Sequence, residues 1–185
     1  MSALSIYPDE QAVNGETFRD FAAIQERLNA LGVQFERWRA DFEFAPDAEA
    51  QTVLEAYQQP VTALMRQYGF KSVDVISVKP DHVNKETLRR KFLAEHIHKD
   101  FEVRFFVEGR GLFYLHAGKQ VYVVLCEQGD LISVPANTPH WFDMGEEPDF
   151  RCIRLFTNED GWVAEFTGSR ISELFPTFDQ YLAGL

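Results

Sequence analysis

The sequence predicts a mainly β fold, an antiparallel sandwich or barrel with flanking α-helices. Three observations predict it. From Glu102 onward, EVRFFVEGRGLFYLHAGKQVYVVLCEQGDLISVPANTPHWFDMG is a series of short β-prone runs. Gly, Asn, Asp and Pro punctuate it roughly every eight to twelve residues, the rhythm of antiparallel β architectures. Ahead of that stretch, apolar residues recur at spacings of three and four, which marks helix faces. Aromatics reach 14% of the chain, with 17 Phe, and call for a core or pocket rich in rings.

The elements follow in chain order. A first helix is predicted over 17–31, where Phe18, Phe21, Ile24, Leu28 and Leu31 share a face, Thr17 and Asp20 resemble a cap and Gly32 is a stop. A second follows Pro46–Asp47 and carries Val53, Leu54 and Tyr57; Pro60 should break or kink it before VTALMRQYG continues. KSVDVISVK alternates as a strand, and NKETLRRKF reads as a short basic helical turn. After the β series, DFRCIRLFTNEDGWVAEF adds two strands around an Asn-Glu-Asp-Gly turn. The tail RISELFPTFDQYLAGL is expected to be helical and to pack an apolar face on the outside. With no repeat and no low-complexity linker, one domain over 1–185 is expected: helices and first strands to about residue 92, a β core over about 93–168 and a terminal helix over about 169–185.

Composition narrows the function classes. A chain of 185 residues suits one domain, and its 45% apolar and 25% charged residues are those of a soluble globular protein. The net charge of −11 argues against nucleic acid and against anionic membrane surfaces, both of which ask for a basic face. No apolar stretch approaches the ~20 residues of a transmembrane helix. MSALSIYPDEQAVNG lacks the basic n-region and apolar run of a signal peptide. A cytoplasmic protein is expected, with Cys126 and Cys152 as reduced core thiols.

The chemistry concentrates in EHIHKDFEVRFFVEG, residues 95–109. On a strand, residues i and i+2 point the same way, so His96 and His98 present two imidazoles on one face. Glu102 stands at an even separation from both, and a strand or slight bulge brings its carboxylate to that face. Imidazole nitrogen and carboxylate oxygen are good ligands for divalent first-row metals. His140, in VPANTPHWF, is a fourth candidate from a later strand. His82 in KPDHVNK and His116 in LHAGK are expected to be solvated. A lone His-x-His would read as two histidines on a polar strand face, with Glu102 a surface charge. The wider pattern favours the metal: Gly109 follows Glu102 across six residues, Pro135 lies six after Gly129, and His140 five after Pro135.

That spacing resembles the two motifs of the cupin superfamily over roughly residues 90 to 145. Arg90 stands where the first motif begins with Gly, Asn137 where a Gly follows the proline, and Met144 where the second motif closes with Asn. Asn tolerates the left-handed conformation that a Gly would supply. EHIHKDFEVRFFVEGRGLFYL, VPANTPHWFDMG and the earlier LGVQFERW together resemble the acireductone dioxygenase family of methionine salvage across most of the chain. The resemblance implies a double-stranded β-helix, or jelly-roll barrel, with flanking helices, monomeric in bacterial members. It implies that His96, His98, Glu102 and His140 bind one Fe(II) or Ni(II). The implied substrates are O2 and the acireductone 1,2-dihydroxy-3-keto-5-methylthiopentene, whose dianion can chelate the two positions left open on a six-coordinate metal. The Fe(II) form would give formate and 4-methylthio-2-oxobutanoate; the Ni(II) form would give formate, carbon monoxide and 3-methylthiopropanoate.

Supporting groups can be named. Arg104 lies two residues past Glu102 and points to the same interior, where a permanent cation must find an anion. That anion is the substrate dianion in a catalytic role, or Glu102 or Glu95 in a structural one. Arg154 is a weaker candidate for the same work. Phe142, two residues after His140, is a candidate wall for the methylthio tail, with Phe92, Phe105, Phe106 and Trp162 as further aromatics. Phe101 precedes Glu102 and could couple to its position, and Glu95 could support the metal from behind the ligands. The alternatives are another cupin metalloenzyme (a thiol or flavonol dioxygenase, or a sugar-phosphate isomerase) and a non-catalytic ligand-binding cupin. A phosphosugar site would want several basic residues in the barrel, and only Arg104 and Arg154 are offered. Storage cupins often lose a ligand, whereas all four are present.

Overall fold

One long strand, Glu102–Ala117, organises the molecule. Residues 1–157 and 163–185 are described by the computed structural model. In chain order the elements are β1 (Ala3–Pro8), β2 (Glu16–Phe18), α1 (Phe21–Asn29), β3 (Gln34–Arg37), α2 (Ala50–Ala56), α3 (Gln58–Tyr68), β4 (Ser72–Val78) and α4 (Lys85–Leu93). There follow β5 (His96–Ile97), β6 (Glu102–Ala117), β7 (Gln120–Glu127), β8 (Asp130–Val134), β9 (His140–Asp143), β10 (Phe150–Phe156) and β11 (Glu165–Phe166). A 3₁₀ turn (Ile171–Leu174) and α5 (Phe178–Gly184) complete the chain.

The first half of β6 pairs antiparallel with β8 and β10, and its second half with β7 and β9. It therefore belongs to two sheets, ordered β4-β10-β6-β8-β3 and β11-β5-β9-β6-β7-β1-β2. The strand passes from one to the other at Gly109, whose φ of 71° is left-handed. A Cβ there would run into the Asp149 carbonyl, so the position takes only glycine. The two inward faces enclose a core that includes Phe106, Phe113, Phe142 and Phe150. Outside the first sheet, α2 and α3 lay Val53, Tyr57, Val61 and Leu64 over Val103, Phe105 and Ile153. Outside the second, Phe175, Phe178 and Tyr181 of the tail cover Tyr114, Val123 and Trp141. Fold class and the outward-packed tail are as expected: a mainly β, antiparallel jelly roll with helices on its flanks.

Local differences have physical causes. The first helix begins at Phe21, capped by Asp20, which accepts from Ala23 N at 2.9 Å. Thr17 and Phe18 belong instead to β2, because β1 offers them a backbone partner and Ser5 Oγ meets Thr17 Oγ1 at 2.7 Å. The second helix breaks at Tyr57, leaving Pro60 in the first turn of α3, where a missing N–H costs nothing. The tail divides around Pro176, and Thr177 with Gln180 forms a capping box for α5. β1 and β3 had no counterpart in the sequence reading. The Asn158–Gly161 turn and Trp162 lie outside the described residues. Cys126 and Cys152 are free and buried, and burial pushes both thiols up. No helix among the described residues is long and apolar enough to cross a membrane.

Candidate metal centre

His96, His98, Glu102 and His140 converge, each buried, with one ligand atom from each lying within 4.8 Å of all the others. Short elements achieve this. His96 pairs with His140 across β5 and β9, and with Phe166 of β11 on its other side. After His98 the chain reverses and Glu102 opens β6. Asn137, at a left-handed φ of 61°, donates its N–H to the His98 carbonyl at 2.7 Å. The residue that departs from the glycine of the motif thus ties two ligand segments together.

The imidazoles are oriented by backbone carbonyls. Nδ1 of His96 meets Ala94 O at 2.7 Å, Nδ1 of His140 meets Thr138 O at 2.7 Å, and Nδ1 of His98 meets Val163 O at 3.2 Å. A carbonyl only accepts, so each Nδ1 carries the proton and each Nε2 presents a lone pair. Yet Nε2 of His98 and Nε2 of His140 both stand 3.0 Å from Glu102 Oε2. With neutral rings these are acceptors facing an acceptor, an arrangement that a cation between them would satisfy. Donors about 2.1 Å from a common centre and at right angles lie about 3 Å apart, the spacing seen here. The residues fit a divalent metal.

Electrostatics agree. Burial, and after it the neighbouring His140, push the pKa of His96 down to about 4, which keeps the ring neutral and able to bind metal near pH 7. Burial would raise that of Glu102. The Arg104 guanidinium is foremost among the groups that oppose burial, and the carboxylate is held well below its usual range. Arg104 Nε lies 2.7 Å from Glu102 Oε1.

A cavity of about 260 Å³ opens onto the cluster, lined among others by Phe92, His96, His98, Arg104, Arg154 and Phe156. Arg154 reaches Asp74 through two hydrogen bonds of 2.8 and 2.6 Å. Arg104 rests among rings, its guanidinium carbon 4.5 Å from the centre of Phe142, 5.1 Å from Phe113 and 5.7 Å from Phe92.

Of the expected supporting residues, Arg104, Arg154 and Phe92 reach the cavity. Phe142 lies one layer deeper, against Phe113 at 4.9 Å, and acts on the cavity through Arg104 rather than as its wall. Phe106 is in the same interior core. Phe105 is on the opposite face of β6, packed on Trp38 and Tyr57 at 5.2 Å each, because it sits an odd number of residues from Glu102. Phe101 is 44% exposed and lines a separate apolar cavity with Leu64, Tyr68 and Phe70. The Glu95 carboxylate turns away from the ligands toward His116 Nδ1 (2.9 Å) and Thr167 Oγ1 (2.6 Å). His116 is therefore engaged rather than solvated, and so is His82, half-buried in a turn where its Nδ1 accepts from Asn84 N at 3.1 Å. Trp162 is among the residues not described. The sequence reading missed Asp74, Lys91, Phe156 and Phe166 on the cavity wall, since only cross-strand register and chain reversal bring them there.

With this geometry in hand, known proteins are informative. The model of the ARD/ARD′ family matches residues 4–164. An acireductone dioxygenase of Methylococcus capsulatus is 59% identical over 182 residues, covering 98% of each chain. One of Aquifex aeolicus is 50% identical over 187 residues, covering 100% of each. A solved acireductone dioxygenase from Bacillus anthracis, with a cadmium ion in its active centre, superposes with a TM-score of 0.79 at 27% identity, covering 90% of this chain and 98% of that one. The chain belongs to the acireductone dioxygenase family.

Proposed function

We propose that this chain holds one Fe(II) or Ni(II) through His96, His98, Glu102 and His140. There it cleaves 1,2-dihydroxy-3-keto-5-methylthiopentene with O2 in methionine salvage. The observation that carries the reading is the facing of lone pairs: two Nε2 atoms 3.0 Å from one carboxylate oxygen, with the Nδ1 atoms committed to carbonyls. When bound, the metal supplies a template for two substrate oxygens and a positive charge that stabilises their anionic form.

The protein's own groups do the rest. Arg104 lines the cavity beside Glu102, where its fixed charge favours an ionised substrate over a neutral one. The rings of Phe92, Phe113 and Phe142 around it exclude water, which strengthens that preference. Phe92, Phe156 and Phe166 offer an apolar wall to the methylthio tail, and Arg154, paired with Asp74, is a second cation in the cavity wall. The working unit is taken to be a monomer with one metal, as the resemblance to bacterial members implies.

Reconstitution tests the reading. Stripped protein given one equivalent of Fe(II) should convert anaerobically prepared substrate plus O2 to formate and 4-methylthio-2-oxobutanoate. With Ni(II) it should yield formate, carbon monoxide and 3-methylthiopropanoate. His140→Ala should retain far less metal and lose turnover. Identical products from both metals would reject the metal-dependent half, and full metal and turnover in His140→Ala would reject the ligand set.

A further inference from the structure

β5 is two residues long, yet it carries one metal ligand and leads directly into another. So short a strand has little ladder to hold it. What surrounds it is a chain of polar groups outside the metal cluster. Glu95, only 4% exposed, receives His116 Nδ1 on Oε1 at 2.9 Å and Thr167 Oγ1 on Oε2 at 2.6 Å. Thr167 N donates to the Glu95 carbonyl at 3.1 Å, and His116 Nε2 lies 3.5 Å from Asp9 Oδ2. His116 also donates its backbone N–H to Pro139 O at 2.8 Å.

The two attachments of His116 are matched. The carbonyl that orients His96 belongs to Ala94, and the one that orients His140 belongs to Thr138. In each case one residue separates carbonyl from ligand, Glu95 in the first and Pro139 in the second. His116 holds both of those residues, one by its side chain and one by its backbone. A shift of Glu95 would move the Ala94 carbonyl and the His96 ring together. We infer that His116, acting on Glu95, is a positioning residue: a cross-brace that fixes the separation and aim of His96 and His140, and so sets metal affinity. The inference rests on the metal-site reading above. It touches neither metal nor substrate.

Ni(II) affinity of the full chain, measured by competition with a chelator, tests the brace, with the visible spectrum of the Co(II) form as a geometric readout. His116→Ala should bind Ni(II) about 10- to 100-fold more weakly, the range typical of groups that orient ligands, and should shift the Co(II) bands. His116→Asn places a donor nitrogen where Nδ1 was, and should recover affinity to within a few-fold of wild type. Glu95→Gln keeps the size but loses one of two acceptors, and should fall between. A purely structural role would lower the thermal midpoint of these variants and leave Ni(II) affinity and the Co(II) spectrum alone. That result would overturn the brace, as would an Asn variant no better than Ala. Should His116→Ala fail to fold, the other two decide: Asn near wild type with Gln weakened supports the brace, and wild-type affinity in both overturns it. A wild-type chain that binds no Ni(II) would instead overturn the metal-site reading, and the brace with it.

Discussion

Glu102 is the residue on which the site turns. Its carboxylate faces two imidazoles through one oxygen and the Arg104 guanidinium through the other. Burial pulls its pKa up and Arg104 leads the groups that pull it down, with the second effect larger. Removing Arg104 should therefore let burial dominate and raise the carboxyl pKa. Metal must then compete with a proton. In Arg104→Ala, Ni(II) affinity should fall by about tenfold for each pH unit below the raised pKa. The wild type should fall less steeply over the same range, because its carboxylate is already ionised there and protons compete only for the other ligands. Arg104→Lys keeps the charge but not the planar fork, and should lie between the two. Titrations with Ni(II) from pH 8 down to pH 5 check this. Parallel pH curves for wild type and Arg104→Ala would show that Arg104 does not set the ionisation of Glu102.

At the scale of elements, the decisive feature is the elbow in β6. The N-terminal half brings Glu102 and Arg104 inward over the first sheet, and the second half carries Leu115 opposite His140 in the other. The strand can serve both only if it turns at Gly109, where left-handed φ and contact with the Asp149 backbone coincide. Gly118, in the β6–β7 turn, has a comparable φ of 63° but nothing within 4 Å of where a Cβ would stand. The pair separates backbone strain from collision. Gly118→Ala should cost about 1 kcal/mol. Gly109→Ala should cost about 3 kcal/mol or more, since backbone must move as well. Denaturant unfolding of both measures the difference. Equal losses would mean the collision at the elbow relaxes freely.

On the scale of the molecule, three apolar clusters among the described residues form the core, and a buried carboxylate ties elements around it together. Asp143, wholly buried at the end of β9, accepts from Arg89 of α4 at 2.7 and 3.0 Å. It also accepts from Gly145 N at 2.9 Å and from Phe178 N, at the start of α5, at 2.8 Å. One carboxylate thus pins two helices to the strand that carries His140. Truncating it leaves two backbone donors without that partner, while the half-buried Arg89 guanidinium keeps Glu146 and Asp179. Asp143→Ala should cost about 1–3 kcal/mol and lower the thermal midpoint, while the folded protein still binds one metal per chain. Thermal melts beside metal analysis test this; loss of metal without loss of stability would mean Asp143 belongs to the site rather than to the scaffold.

The candidate ligands were legible in the sequence from motif spacing, not from one shared strand face. His96 lies on β5, the chain reverses after His98 and Glu102 opens β6, so the even separation does not by itself bring the three together. Turn residues at short intervals fixed the β class, and the Pro and Gly positions marked the second motif. Strand alternation places Phe105 on the opposite face from Glu102, a consequence legible from its number alone. What alternation cannot give is depth or partner. Phe142 shares a face with His140, and only the packing of Phe113 and Arg104 around it shows that it lies beneath the cavity. Helical spacing at Phe18 yielded to β1, Glu95 turned to a histidine 21 positions away, and Arg154 met Asp74 across 80. Those choices belong to tertiary structure. A strand edge or a buried carboxylate takes whichever partner the assembled sheets bring to it, and no local pattern names that partner.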